Sequence, residues 1–467
     1  MKRLFFAALL TGLAACRLCH IGVLWTEENL PMAAAIQMLG GKTLYRDVWF
    51  DKPPLTSAVY LLWGAQAGWL LRVAGALYVF TACVLLYRFA SRMWSEREGM
   101  LAAALLGFFL TFGIPAAVIP LASDLLMAAP HIAAVYLAWR GRPLWSGALA
   151  GVAFLVSSKA VFVIAACALW QYRALPQLAL GFLIPNAAAL GWLWMRGAFG
   201  DYLEQVWRLG FLYAGDTFLE NPVAAGLRRT ANWMGFHAAL VAGAAWYWLR
   251  ERKPDRLRMA LWAALALAGV TAGWRFFPRY YFLLLPVMAL AAARGYMLMP
   301  RRRAAALLAL TLAVPFVRFG PRYVLLARDA LSGRPSEWVD VAMDRDSREA
   351  ARLIGEQARP GDTLFVWGYR PDLYIYTRLP AATRFLESQP LSGVLADRHL
   401  FATDSVAPEW ARRNREELVR SRPSFIVDGL GNYNPRLAIE KYADLQPWLA
   451  QYERLSGTPF CVIYRRR

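Results

Sequence analysis

Two groups of residues near the start of the chain have the types and spacing to do chemistry. Trp25-Thr26-Glu27-Glu28 sets adjacent carboxylates at the end of an apolar run. Anchoring at a membrane boundary is a task for aromatic or basic residues, so these acids ask for another explanation. A partly desolvated carboxylate has the basicity to take a proton from an acceptor hydroxyl. Downstream lie Tyr45-Arg46-Asp47 and Asp51-Lys52-Pro53-Pro54, where two prolines stiffen the turn that presents the Lys52 ammonium. A fixed ammonium suits a phosphate. Carboxylate and cation together point to group transfer from an anionic lipid.

The elements that must position these residues lie in a bilayer. Of 467 residues, 58% are hydrophobic and only 18% charged. Soluble proteins carry roughly 25% charged residues. The formal charge is +20, and it is uneven: residues 1–319 hold 30 basic and 13 acidic side chains, residues 320–467 hold 22 and 19. Nucleic-acid readers gather Lys and Arg on one soluble face beside aromatics. Here the basic residues punctuate apolar stretches, which excludes that class. Runs of suitable length predict about eleven spans from residue 4 to residue 319. Among them are continuous spans over 100–117, 122–139, 231–249 and 280–299.

Short basic loops mark the cytoplasmic side. With Lys2-Arg3 inside, alternation puts Arg88/Arg92/Arg97, Arg140/Arg142, Arg173, Arg250 to Arg258 and Arg294 to Arg303 on that same side. The loop 25–70, the segment 196–230 and the tail 320–467 then lie outside, so the chemistry is expected there. The segment 196–230, with Tyr202, Trp207, Tyr213 and Phe218, would serve equally as an acceptor platform or as interfacial packing.

The N-terminal stretch ending Leu13-Ala14-Ala15-Cys16 mimics a lipoprotein cleavage box. Apolar character continues to Trp25, so an uncleaved first helix is expected, with Arg17 and His20 snorkelling or facing the interior. The five cysteines suggest no disulfide framework, and His20, His131, His237 and His399 have no metal-ligand spacing. The tail reads as a small independent α/β unit: strands at 363–367, 424–427 and 460–464, helices at 347–359 and 408–420. Its most distinctive run, Val366 to Asp372, contains no phosphate-binding glycine loop.

The membrane body resembles the polytopic GT-C glycosyltransferases, in particular the bacterial dolichyl-phosphate-mannose-protein mannosyltransferase and aminoarabinose transferase-like branch. The matching residues are the acidic pair Glu27-Glu28, Gly40 or Gly41, Tyr45-Arg46-Asp47 and Lys52-Pro53-Pro54; the family usually opens its pair with Asp. Asp124 in Ser123-Asp124-Leu125-Leu126 looks like the family's second loop acid, and it would also serve as a helix N-cap. Lys159 stands where relatives show a Lys-Gly pair, without the glycine. Arg275-Phe276-Phe277-Pro278-Arg279-Tyr280-Tyr281 resembles the late arginine-tyrosine segment near the lipid phosphate. The segments Trp367-Gly368-Tyr369 and Thr383-Arg384-Phe385 look like family extensions.

The resemblance implies a polytopic α-helical membrane protein with a GT-C-like domain at 1–319 and an extracytoplasmic α/β domain at 320–467, in the bacterial inner membrane. It implies an inverting sugar transfer from a polyprenyl phosphate to a hydroxyl of a lipid, polysaccharide or protein. Glu27, Glu28 and Asp124 would be catalytic. Lys52, Lys159, Arg275 and Arg279 would hold the donor phosphate, and Tyr45, Asp47, Tyr280 and Tyr281 the sugar or acceptor. Asp124 would orient the acceptor or hold a divalent cation; no metal is assigned. A physical argument runs alongside: the inner loops show no glycine-rich nucleotide cradle, so an outer-face transferase needs a donor that crosses in the membrane. The rival class is a lipid-linked-sugar flippase, which would be expected to show paired repeats with interrupted helices. No internal repeat is visible.

Overall fold

The computed structural model describes residues 2–334 and 336–467. The chain divides into two compact units. One is made of Met1–Ile21, Trp69–Gly191 and Leu219–Pro335, the other of Gly22–Gly68, Trp192–Phe218 and Ser336–Arg467.

The first unit is built of helices. Trp69–Met93, Leu175–Met195 and Arg301–Ser332 are long and apolar enough to cross a membrane, and Pro143–Phe154, Ser158–Gln171 and Leu285–Leu298 are shorter apolar helices. Helices Ala238–Arg250 and Leu285–Leu298 pack so closely that a Cβ on Gly295 would lie 1.8 Å from the Gly243 carbonyl oxygen. Close packing of this kind is how helices cohere where burial of apolar surface gives no net drive. The helix Arg301–Ser332 runs past residue 319, where the sequence reading draws its domain boundary.

Several spans expected to be continuous are broken. The span over 100–117 is helical only to Phe109; only a short helix, Pro115–Val118, forms before Ser123–Leu126 and Ala128–Trp139. Pro115 and Pro120, with no N–H to give, explain the interruption. The span over 231–249 is divided at His237, and that over 280–299 opens as the 3₁₀ turn Pro278–Leu283. Irregular backbone at membrane depth requires internal partners. Arg17 supplies them, donating to the carbonyls of Ile119 at 2.6 Å and Val118 at 2.8 Å. Tyr323 donates to Thr111 at 2.6 Å, and Tyr78 to Leu126. Arg17 and His20 therefore face the interior; both are buried, and Arg322 donates to the His20 ring at 3.2 Å. Arg294 bridges the buried carboxylates of Glu98 and Glu251, 2.9 Å from each.

The second unit is organised on a four-stranded sheet of β1 (Leu364–Trp367), β2 (Phe425–Asp428), β3 (Tyr452–Gly457) and β4 (Val462–Arg466) in the order β1-β2-β4-β3. β1 and β2 pair in parallel, Leu364 opposite Phe425, and every residue of both is buried. That burial on two faces is why they read as unbroken apolar runs. The sequence reading omits β3, a mostly exposed edge strand with the polar pattern Tyr-Glu-Arg-Leu-Ser-Gly. The expected helices are Val339–Gly355 and Pro408–Leu418.

The core of this unit includes Phe365, Trp367, Phe385 and Ile426 from the tail, and Trp49 from the loop. The Trp49 N–H donates to the Arg384 carbonyl at 2.7 Å, Leu24 donates to Asp344 at 2.9 Å, and the Gln37 amide accepts from Ala381 at 2.8 Å. The run Val366 to Asp372 takes part in the packing of this unit. Gly368 sits at φ 108, where a Cβ would lie 2.9 Å from the Gly429 backbone, and Arg370 pairs with buried Asp346 at 3.1 Å.

Candidate active site

In the second unit the acidic pair opens the helix Thr26–Leu39. Negative side chains belong in a first helical turn, where N–H groups lack intrahelical partners. The two carboxylates differ in position. Glu28 is fully buried and its Oε1 accepts the Trp25 N–H at 3.4 Å; Glu27 is partly exposed.

After this helix the chain turns at Gly41, φ 91, into the loop that carries the motif. Tyr45 is also left-handed, at φ 72, which a bulky residue holds only when its surroundings fix it. Those surroundings are visible: Tyr45 is buried, its N–H donates to the Val48 carbonyl at 2.8 Å and its hydroxyl to the Lys52 carbonyl at 2.8 Å. Asp47 accepts the Thr43 N–H at 2.8 Å and pairs with Arg46 at 2.8 Å. The Arg46 hydrogen bond, aided by the Thr43 N–H, brings the Asp47 carboxyl down to about 2. Lys52 lies partly exposed, 2.6 Å from Asp51.

In the first unit Asp124, Lys159, Arg279 and Tyr280 come together on broken helix ends. Asp124 belongs to the single turn Ser123–Leu126, whose N-cap is Ala122. Its carboxylate is 3.7 Å from the Lys159 ammonium and 3.4 Å from Arg279 Nε, all three being largely buried. The Lys159 ammonium also lies over the face of the Tyr280 ring. The Asp124 carboxylate thus gathers an ammonium and a guanidinium, the two side-chain groups that hold phosphate oxygens.

The other predicted residues of this unit lie on the segment that carries Arg279. Arg275 is buried and donates to the Gly273 carbonyl at 3.1 Å. Tyr281 shares a 2.8 Å hydrogen bond with Thr230 and stacks on Trp233 with centroids 5.3 Å apart. Trp274 and Phe276, on either side of Arg275, both hold φ 51. The Phe276 ring fits because position 226 is glycine; a Cβ there would lie 2.4 Å from the ring. Strained aromatics in both units thus flank predicted site residues.

Three residues in the second unit are not among the expected site residues. Gln205 holds the loop with both ends of its amide, its Nε2 donating to the Tyr45 carbonyl and its Oε1 accepting from the Phe50 N–H, each at 2.9 Å. Its segment, Leu203–Arg208, is a π-helical turn, a form found at functional sites. Arg384 pairs with Asp201 and with Glu417, 3.1 Å from each. Glu387 is fully buried, its Oε1 makes no hydrogen bond among the described residues, and Asp51 and Lys52 act on it. Burial first, then the Asp51 charge, pushes its carboxyl well above the usual carboxylate range. Nothing local in the sequence signals these roles, because each has at least one partner more than 100 residues away. Among the described residues no group of three or more His, Cys, Asp or Glu side chains could hold a metal ion.

The chain shares its fold with solved GT-C glycosyltransferases. The chain is similar to ArnT from Cupriavidus metallidurans bound to undecaprenyl phosphate, with a TM-score of 0.63 and 15% identity over 99% of this chain and 97% of that one. Against the same ArnT in the apo state the TM-score is 0.60, at 16% identity over 99% and 98%. The arabinofuranosyltransferase AftD from mycobacteria gives 0.50 and 15% identity over all of this chain and 42% of its own. At these identities the likeness is one of fold. No protein-family model and no curated protein sequence matches the chain.

Proposed function

We propose that the chain is a membrane glycosyltransferase that moves a sugar from a polyprenyl-phosphate donor to a hydroxyl acceptor on the outer face of the bacterial cytoplasmic membrane. The observation that carries this reading is the Asp124, Lys159 and Arg279 cluster, which gathers an ammonium and a guanidinium around one carboxylate on interrupted helices. A fold shared with a protein solved with undecaprenyl phosphate supports the same donor class.

In this reading Glu27 is the general base. Glu28 is spent on the Trp25 N–H, whereas Glu27 has access to solvent. Glu27 takes the acceptor hydroxyl proton as the hydroxyl oxygen bonds to the anomeric carbon, with inversion. The bond from that carbon to the phosphate oxygen breaks, and its electron pair leaves on polyprenyl phosphate. The cations assigned to the donor phosphate in this reading are Arg279 and Lys159 in the first unit and Lys52 in the second; such groups offset the charge that develops on the leaving phosphate. Asp124 keeps both cations oriented, while Arg275 and Tyr281 fix the turn that carries Arg279. Tyr45 and Asp47 shape the loop that presents Lys52, and Tyr280 lines the sugar's side of the cluster.

The test is release of free polyprenyl phosphate by purified protein from a mixed pool of polyprenyl-phosphate sugars. Release that Glu27→Gln abolishes and Glu28→Gln spares supports the reading. No release from any donor, accompanied by flux of the lipid-linked sugar across vesicles, assigns the protein to the flippases.

A further inference from the structure

The second unit contains a cavity of about 360 Å³ walled by the helix Pro408–Leu418, the turn Leu203–Arg208 and Arg384. That volume lies at the lower end of the range for small-molecule sites, about 300 to 1,000 Å³. Its lining is three glutamates, three arginines, Asn414 and Trp410.

The charges cancel in number and largely in space. Arg384 meets Glu417 at 3.1 Å, and Arg208 lies 3.9 Å from Glu204. Four of the six charges are paired in this way, and an apolar ligand would have to desolvate them. What the cavity offers is paired planar donors and acceptors around one aromatic ring. Neighbouring hydroxyls on a sugar match carboxylate and guanidinium groups in pairs, and the C–H face of a sugar lies flat on an indole. The Trp410 ring is held in place, its Nε1 donating to Glu204 at 3.2 Å and its centroid 6.5 Å from that of Trp49.

The cavity is also wired to the motif loop. Glu204 precedes Gln205, whose amide grips Tyr45 and Phe50, and the Arg384 carbonyl takes the Trp49 N–H. We infer that this cavity is a saccharide subsite that binds sugar residues of the acceptor and steadies the Tyr45 to Lys52 loop when filled. The inference rests on the glycosyl-transfer reading above for the word acceptor, and on the cavity's own chemistry for the word saccharide.

The experiment applies full-length protein in detergent micelles to an array of bacterial cell-envelope oligosaccharides. Wild type, Trp410→Ala, Trp410→Phe and Glu417→Ala are compared, each with a thermal melt to check folding. The expected result is retention of at least one glycan class by wild type, an affinity loss of about tenfold in Trp410→Ala and Glu417→Ala, and retention in Trp410→Phe. No glycan retained by wild type, or equal retention by folded Trp410→Ala and Glu417→Ala, overturns the inference. Release of polyprenyl phosphate is measured on the same wild-type preparation. Release without glycan retention removes the subsite alone. Glycan retention without release keeps the saccharide site and removes the transferase reading.

Discussion

Neighbouring carboxylates in one helical turn can have unlike duties, and Glu27 and Glu28 separate them by burial. Glu28 satisfies a helix-start donor, so Glu28→Ala is expected to lower stability by about 1 kcal/mol, the usual cost of a lost cap, read in thermal or denaturant melts. Glu27→Gln is expected to leave the melt unchanged and to lower turnover about 10²- to 10⁴-fold, the usual contribution of a general base. Glu387 makes a prediction in pH. Its folded-state affinity for a proton is raised above the ordinary carboxylate value, chiefly by burial. As pH rises above about 4.3, the unfolded chain releases this proton while the folded chain keeps it. The unfolded state then binds fewer protons, so this group's contribution to stability falls with rising pH until the folded carboxyl ionises. Melts across pH 4 to 9 should show that decline in wild type and a shallower one in Glu387→Gln. Equal slopes in the two proteins would sink the assignment.

At the scale of elements, the helix ends in the first unit were the hardest part of the sequence to read. Apolar runs place the helices well because bilayer thickness demands them, but hydropathy is blind to where a run unwinds. Asp124 was legible as an acid at a span's start; its partners Lys159 and Arg279 were legible one by one. Their meeting was not, since it depends on the single turn Ser123–Leu126 and the 3₁₀ turn Pro278–Leu283 lying side by side. Arg17 shows how such breaks are sustained. Its guanidinium serves the Val118 and Ile119 carbonyls at once, a geometry that one ammonium does not reproduce. Leaving two buried carbonyls unsatisfied costs about 1 to 3 kcal/mol each. Arg17→Lys is therefore expected to lower stability by about 2 kcal/mol or more, and a melt of Arg17→Lys that overlays wild type would show that the carbonyls find other donors.

For the molecule as a whole, the informative feature is that the second unit is assembled from three separated pieces of sequence. Composition suggests a separate domain at 320–467, whereas the compact unit takes in Ser336–Arg467 with two earlier segments; β1, β2 and β4 were legible as apolar runs. Composition does not reveal that this sheet borrows part of its core from residue 49, because a lone tryptophan in a loop looks the same whether it packs on lipid, sugar or protein. Trp49 is 1% exposed among Phe365, Phe385 and Ile426, and its backbone is bonded to Arg384. Removing a buried Trp side chain costs about 3 to 5 kcal/mol, against a typical net stability of about 5 to 15 kcal/mol for a domain. Residues 336–467 expressed alone lack Trp49 together with the Gln37 and Asp201 partners, so they are expected to lack a cooperative melt and to exchange the β1 and β2 amides rapidly. In the full chain Trp49→Ala should expose those same strands to hydrogen exchange while the amides of Trp69–Met93 stay protected. Slow exchange of β1 and β2 in the isolated fragment would instead show that the tail folds unaided, and the loop would then be a guest on a finished domain.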